Sequence, residues 1–416
     1  MKAAIGALLL IAALTGSAHA EPLPGASVES LLAAAREHSP DVRMVRLEAE
    51  AARERIQPAG ALPDPVLRIE LENLTRNGSQ NATLNPAQVG DTKYTLMQPL
   101  PFWGKRDLRR GVASAEAEQA SSRAADTWAE VAGRIKTLYA QYWLTSQSLK
   151  LTRENIELTR HLEQIAQVRY AGGLAAQQDA IRAQLERSAM EAELVGMESE
   201  FHHLMVFLNA MLARPSGAAL AEPVSLRPLP ERLDGLALNT RLLAANPQLA
   251  IEGARVGGAE KSRDLAYRNR YPDLTLGVVP MQVGNRVETW SLMLEMNLPL
   301  QQGTRRSQER ESERMLEAAA ARKEAIGHRL QGDLDAAISN LESARTTEQI
   351  TRSRLLPQSE LTFRSALAGY ENGKVDFATL LDAQRQIRNA RLALMRAQAG
   401  QQMRLAEIER LLGEDL

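Results

Sequence analysis

The chain contains two copies of one unit, so whatever one half folds into, the other must fold into as well. Tyr170-Ala-Gly-Gly173 through Ala183-Gln184 aligns with Tyr370-Glu-Asn-Gly373 through Ala383-Gln384 at an offset of 200 residues. Upstream, His38-Ser-Pro40 matches Ala245-Asn-Pro247, and Pro63-Asp64 matches Pro272-Asp273. Leu100-Pro101-Phe102 with Gly104 matches Leu298-Pro299-Leu300 with Gly303. The offset drifts by several residues, which places short insertions in the loops. Residues 21–213 form the first unit and 236–416 the second. Between them, residues 214–235 carry Pro215, Pro223, Pro228 and Pro230 and read as a linker outside the helices.

Residues 1–20 read as a secretory signal peptide. Lys2 supplies the positive start, Ala3 to Leu14 the apolar run, and Ala18-His19-Ala20 the small-x-small site before Glu21. No later stretch reaches the roughly 18 apolar residues of a membrane-spanning helix. Export with no cysteine leaves neither a disulfide framework nor an N-terminal lipid anchor on cysteine. A net charge of −1 with both signs interspersed argues against a nucleic-acid partner. Aromatic residues make up only 4%, while Ala, Glu, Gln, Arg and Leu dominate, which is a long-helix composition rather than that of a compact enzyme core.

Within each unit the pattern reads helix, two strands, very long helix, helix. Val28 to about Ile56 is periodic as one helix, closed by Pro58. Val66 to Asn73 then alternates, with Leu67, Ile69 and Leu71 on one face and Arg68, Glu70 and Glu72 on the other. Thr92 to Gln98 is its partner, and Leu274 to Val279 with Glu288 to Asn297 repeats the pair. Such alternation fits a small hairpin packed on helices, and it equally fits strands with one lipid face and one lumen face. The polar connector Leu74 to Asp91 has the character of an extracellular loop. From Gly104 to Tyr170 no proline intervenes, which predicts one helix of about 65 residues, or about 100 Å. The equivalent run from Gly303 to Tyr370 holds only Pro357, and helices over about 174–212 and 375–412 follow.

Heptad rows mark those last helices. Met190, Met197, Leu204 and Met211 form one row, with Leu194, Phe201 and Leu208 beside it. In the second unit Ala383, Ala390 and Ala397 run beside Ile387, Leu394 and Ile408. Two adjacent seams let a helix pack on two neighbours, as in a helical barrel, although an antiparallel bundle also uses them. If the strands lie in lipid, four cannot close, because open edges are forbidden there. Three chains would supply twelve strands, which makes a homotrimer the economical closure.

The remaining residues frame no site for chemistry. The six histidines (His19, His38, His161, His202, His203 and His328) offer no helical pair four apart, and the adjacent His202 and His203 diverge by about 100° on a helix. Gly253 to Ser262 lacks the contiguous Gly-Lys of a phosphate loop, and no serine sits in a nucleophile elbow. The expectation is therefore a protein that is not an enzyme and carries no cofactor and no metal site.

The repeat, the Tyr-x-x-Gly segments leading to Ala-Gln (Tyr170 to Gln184, Tyr370 to Gln384) and Leu380-Leu381-Asp382 together resemble the outer membrane efflux protein family, the TolC-like outer membrane factors. The resemblance covers essentially the whole mature chain. Gln98-Pro-Leu-Pro-Phe-Trp-Gly-Lys-Arg106 is similar to the branch that serves heavy-metal cation pumps. The resemblance implies a mainly α chain with a small membrane β-barrel, its trimer placing a twelve-stranded barrel on a long periplasmic α-helical barrel. It implies an outer-membrane exit duct for an inner-membrane pump of the resistance-nodulation-division type, recruited through a periplasmic adaptor. Multidrug efflux and type I secretion are the alternative duties, and a soluble periplasmic coiled-coil scaffold is the rival outside the family.

The same resemblance implies site residues. The tips Gly172, Gly173 and Leu174, with Gly373, Lys374 and Val375, would meet the adaptor, although a helix reversal alone calls for the glycines. The family's gate has acidic residues nine and twelve positions beyond the tip tyrosine. Here Asp382 matches, Thr379 departs, and in the first unit Asp179 stands at nine with Arg182 at twelve. Three copies of Asp382 at the axis would form a cation-favouring ring; a solvated helix residue is the other reading.

Overall fold

The computed structural model describes residues 23–75 and 82–416. The signal-peptide segment and the middle of the Leu74–Asp91 connector lie outside the described residues.

Proline decides where the first helix of each unit breaks. The residue before a proline is pushed out of helical geometry, and Ser39 accordingly stands at ψ 122° between α1 (Val28–His38) and α2 (Pro40–Glu54). The single helix expected over Val28–Ile56 is therefore two, with Pro40 starting the second, where a missing N–H costs nothing. Pro58 sits within a short helix, α3 (Ile56–Ala59), rather than ending a long one. The second unit repeats the break. Asn246 separates α6 (Gly235–Ala245) from α7 (Pro247–Arg268), and its side chain caps α7 by accepting from the Leu249 N–H at 2.9 Å.

The first long helix, α4, runs Lys105–Ala171 for 67 residues. That is about 100 Å at 1.5 Å per residue. After a short turn, α5 (Gln177–Met211) returns along it. In the second unit α8 (Gln302–Ile350) and α9 (Leu356–Glu371) are joined through a π-helical turn at Thr351–Leu355, and α10 (Phe377–Leu412) returns. The widened turn has a local cause. Pro357 has no N–H, and its ring crowds the carbonyl of Ser353, so the ladder opens one residue wider instead of breaking.

The strands are β1 (Val66–Glu72), β2 (Asp91–Leu100), β3 (Leu274–Val283) and β4 (Arg286–Met296); β1 ends one residue short of the expected Asn73, and the other three are longer than the alternation alone marks. They form one antiparallel sheet in the order β1-β2-β3-β4, so the two units' hairpins join through β2 and β3. Leu67, Leu96, Val278 and Leu292 stand in register across all four strands. Leu276 pairs with Leu294 on the same face, and Pro280 with Trp290. This face is apolar and bare: Leu292 is 87% exposed and Trp290 72%. The opposite face carries Arg68 beside Thr95, Glu70 beside Lys93 and Thr275 beside Glu295. Strands β1 and β4 each have a partner on one side only.

Helix α4 is the spine. It packs against α2 and α5 of its own unit and against α7 and α10 of the other, whereas α8 packs against α7 and α10. Two repeat-related cores hold the first helices of the units against the long ones. Leu31, Ile135, Tyr142, Leu208 and Leu212 belong to one, and Leu238, Leu334, Ile408, Leu411 and Leu412 to the other. Leu208 and Ile408, like Leu212 and Leu412, keep the offset of 200.

The residues linking the units are bound down on this core. The Tyr139 hydroxyl lies 2.9 Å from the carbonyl oxygens of both Ala26 and Ser225, which share its one proton, and Tyr142 donates to Ala221 at 3.2 Å. Burial, with the negative charge of Glu29 beside Tyr139 and of Glu222 beside Tyr142, pushes both hydroxyls up to about 12. A group that holds its proton more tightly when folded stabilises the fold below its unfolded pKa, about 10 for tyrosine. That stability is lost as pH rises from there toward 12. Urea titrations should therefore give a flat midpoint near pH 8–9.5 and a decline above pH 10, on the order of 2 kcal/mol per tyrosine. Tyr139→Phe with Tyr142→Phe should flatten that decline, and an unchanged alkaline slope in this variant would show that other groups cause it.

Candidate functional site: the paired hairpin tips

Each long helix ends in the same backbone device. Leu174 N–H donates to the Arg169 carbonyl at 2.8 Å and Gly173 N–H to Tyr170 at 2.9 Å, with Gly173 left-handed at φ +72°. In the second unit Lys374 N–H donates to Gly369 at 2.8 Å and Gly373 N–H to Tyr370 at 3.0 Å, with Gly373 at φ +68°. These are Schellman caps, in which glycine avoids the Cβ penalty of the left-handed residue. The cap uses up the residues after the tip, which is why α5 starts at Gln177 and α10 at Phe377.

The two tips have the same backbone and different side-chain roles. Tyr370 is buried at 3% exposure, its ring 5.2 Å from Phe377, whereas Tyr170 is 48% exposed. Leu162, Ala166, Ala180, Ala183, Leu380 and Leu381 complete the apolar cluster that holds the hairpins together. Gln384 is fully buried and donates to Asn155 Oδ1 at 2.9 Å, while Gln184 is exposed. At the very tip Leu174 is 71% exposed and Lys374 is exposed. Val375 is half-buried, and a Cβ at Gly369 would stand 2.6 Å from it.

One arginine clasps the tips to each other. Arg169, near the end of α4, donates through Nη1 to the carbonyl oxygens of Tyr370 and Glu371, both at 3.0 Å. Its guanidinium also lies 4.9 Å from the Tyr370 ring centroid. These carbonyls belong to the last turn of α9, where a cation is most favourable. Above the clasp, Arg385 Nε donates to Glu186 at 2.9 Å and Arg388 pairs with Glu193 at 3.1 Å, both tying α10 to α5.

The acidic residues spread over this region. Asp179 is half-buried, and burial together with its charge raises the Tyr370 hydroxyl above its ordinary pKa. Thr379 is exposed and donates its N–H to Asp376 Oδ1 at 2.9 Å, closing the cap of α10. Thr379's side chain and N–H hold the Asp376 carboxyl below the usual carboxylate range, helped by the positive Arg182 across the interface. Asp382 is exposed and accepts from Gln386 at 2.8 Å. Among the described residues, no group of three or more His, Asp or Glu is arranged to hold a metal ion.

Residues 31–213 and 238–414 match the family model described as "Outer membrane efflux protein". The chain belongs to the outer membrane efflux protein family. It is an outer-membrane protein with a large periplasmic helical part. Among curated relatives, it is 24% identical to the cobalt-zinc-cadmium resistance protein CzcC of Cupriavidus metallidurans, over 86% of this chain and 83% of that one. It is 21% identical to the pyoverdine export outer membrane protein OpmQ of Pseudomonas putida, over 89% and 83% of the two chains. In fold it superposes on the outer membrane protein VceC of Vibrio cholerae with a TM-score of 0.79 at 18% identity, covering 93% and 96%.

In this outer membrane efflux protein, the two residues that the sequence reading passed over are Arg169 and Asp376. Asp376 carried a usable signal, an acidic residue three before Thr379 at a helix start. Arg169 carried none, because its repeat equivalent is Gly369 and its partners lie some 200 residues away.

Proposed function

We propose that the chain is the exit duct of a tripartite efflux system, a homotrimer that passively conducts substrate delivered by an inner-membrane pump through a periplasmic adaptor. The observation that carries this reading is the sheet. Its face is apolar and exposed across all four strands, and both of its edges are unpaired. In lipid such edges must close, and β4 of one copy against β1 of the next supplies the closure. The helices support the same symmetry. Helix α10 lies between two long helices, but its repeat equivalent α5 lies against one. It leaves Ile181, Leu185 and Val195 exposed by 56% or more, and Met315 and Leu361 on α8 and α9 by 64% or more. A neighbouring copy that joins these flanks repeats the α8–α10 packing.

The tips form the periplasmic gate in this reading, with Leu174 and Lys374 facing the adaptor and the Arg169 clasp holding the closed state. Asp382, exposed at the gate end of α10, contributes to a ring of like charge when three chains assemble. Asp382→Ala should lower cation-over-anion preference in planar bilayers several-fold, and unchanged single-channel behaviour would remove Asp382 from the gate. The proposed cargo is heavy-metal cations, supported by the relation to the cobalt-zinc-cadmium protein. The relation to a pyoverdine exporter favours, as second reading, export of larger organic molecules. Detergent extraction from outer membranes, mass measurement and particle imaging test the duct. Three chains in a tube well over 100 Å long support it, and a soluble monomer or dimer that leaves the membrane in high salt would replace it with a scaffold. Deletion of the gene followed by challenge with zinc, cadmium or cobalt separates the two cargoes.

A further inference from the structure

We infer that the junction between the sheet and α4 is a binding site for a glycerophospholipid of the periplasmic leaflet, with the lipid phosphate held by Arg106 and Arg110. The inference rests on the membrane-spanning reading of the sheet. A cleft at this junction is lined by Leu62, Leu100, Pro101, Trp103 and Leu274 on its apolar side. Leu100 and Leu274 are register partners, and by alternation they share the face of Leu96, Leu276 and Val278. The cleft is thus continuous with the bare apolar face, at the end of the strands where the periplasmic helices begin.

Trp103 is 78% exposed although it directly follows Phe102, which is half-buried with its ring stacked 4.5 Å from Tyr271. The aromatic that packs and the aromatic that projects are adjacent. Gly104, left-handed at φ +84°, follows them and turns the chain into α4. An amphipathic indole projecting at the end of an apolar belt is placed for the interfacial zone of a bilayer. Leu298 and Leu300, the repeat equivalents of Leu100 and Phe102, are 58% and 82% exposed and extend the apolar rim.

The other side of the cleft is charged. Arg106 and Arg110 are one turn apart on α4 and line it with Asp107. Arg106 is oriented by its Nε, which donates to the Gly60 carbonyl at 2.9 Å. That bond leaves its two terminal nitrogens in a fork, without hydrogen-bond partners among the described residues. Arg110 stands 3.7 Å from Asp107, whose side chain is 80% exposed and largely screened by water. Two guanidinium groups against one solvated carboxylate leave the rim net positive, and forked guanidinium suits phosphate oxygens. An acyl chain along Trp103 and Leu62 with its phosphate at the arginines satisfies both halves of the site.

Native mass spectrometry of the detergent-extracted protein tests this, with phosphatidylethanolamine and a diacylglycerol of identical chains as probes. The expected result is at least tenfold preferential retention of the phospholipid by the wild-type protein, lost in Arg106→Gln/Arg110→Gln, with both probes weakened by Trp103→Ala. Equal retention of the two probes by the wild-type protein overturns the inference without relying on any variant. A photoreactive phenylalanine at position 103 gives a second reading in membranes. Crosslinks to lipid support the site, and crosslinks to a second copy of the chain overturn it. Failure to insert into membranes would overturn the duct, whereas a membrane-inserted trimer without phospholipid preference would overturn this site alone.

Discussion

Replacing Arg169 with alanine should open the channel. The guanidinium makes two charge-assisted hydrogen bonds to the carbonyls of Tyr370 and Glu371 and covers the Tyr370 ring. A hydrogen bond to a charged group contributes about 1.5–3 kcal/mol, and a cation–π contact about 0.5–1 kcal/mol at a partly exposed site. Taken at face value these sum to about 3.5–7 kcal/mol; discounted for water at the partly exposed tip and for two bonds shared by one nitrogen, their loss weakens the link between the two hairpins of each protomer by about 2–3 kcal/mol. A change of 1.4 kcal/mol is tenfold in an equilibrium, so open probability in planar bilayers should rise on the order of tenfold or more. Arg169→Lys keeps the charge but not the planar fork, and should fall between the two. The apolar cluster beneath the clasp is untouched, so the unfolding midpoint of the extracted protein should fall by no more than a few degrees. Closed-channel behaviour identical to wild type would show that the tips are held elsewhere, with the ion pairs Glu186–Arg385 and Glu193–Arg388 the next to remove.

The largest stability effect is expected at Glu409. This carboxylate is 2% exposed and accepts from Lys136 at 2.7 Å, from Arg227 at 2.8 and 3.1 Å, and from the Leu416 N–H at 3.1 Å. Lys136 also bonds Asp415. Burial works against the Asp415 carboxylate, but the Lys136 ammonium outweighs it and holds that group below the usual range. One side chain thus joins α4, the residues between the units and the C-terminus. Removing one member of a buried ion pair costs about 3–5 kcal/mol, because the charge left behind remains out of water. Glu409→Leu should therefore lower the unfolding midpoint by roughly 5–15 °C. The double variant Lys136→Met/Glu409→Leu should recover part of that loss, since it leaves fewer stranded charges and fills the space with apolar groups. Additive losses in the double variant would show that Glu409 acts through Arg227 and the C-terminus rather than through Lys136.

The tip residues show how far the pattern of residues carries. The glycines were legible because left-handed backbone is a local demand, and both caps have it. Thr379, which departs from the family's acidic position, supplies part of a helix cap. Asp382 faces solvent in a single chain and accepts from Gln386 one turn on. The expected continuous first helix failed at a point that was also legible, since Ser39-Pro40 and Asn246-Pro247 break the helix in both units.

The sequence by itself determined the repeat, the four strands and their apolar alternation, the two very long helices and the reversals at Gly173 and Gly373. All of these follow from short-range periodicity and backbone preference, which one dimension records fully. Only the tertiary structure decided which copy of each repeated residue is buried. Tyr370 and Gln384 are enclosed while Tyr170 and Gln184 are not. The reason is that two equal units in one chain occupy unequal places: α10 packs along both α4 and α8, whereas α5 packs mainly on α4 and meets α10 only near the tips. Equal sequence signals then meet different neighbours. The Arg169 clasp and the Glu409 cluster likewise join residues some 200 or more positions apart, and no spacing rule along the chain encodes them.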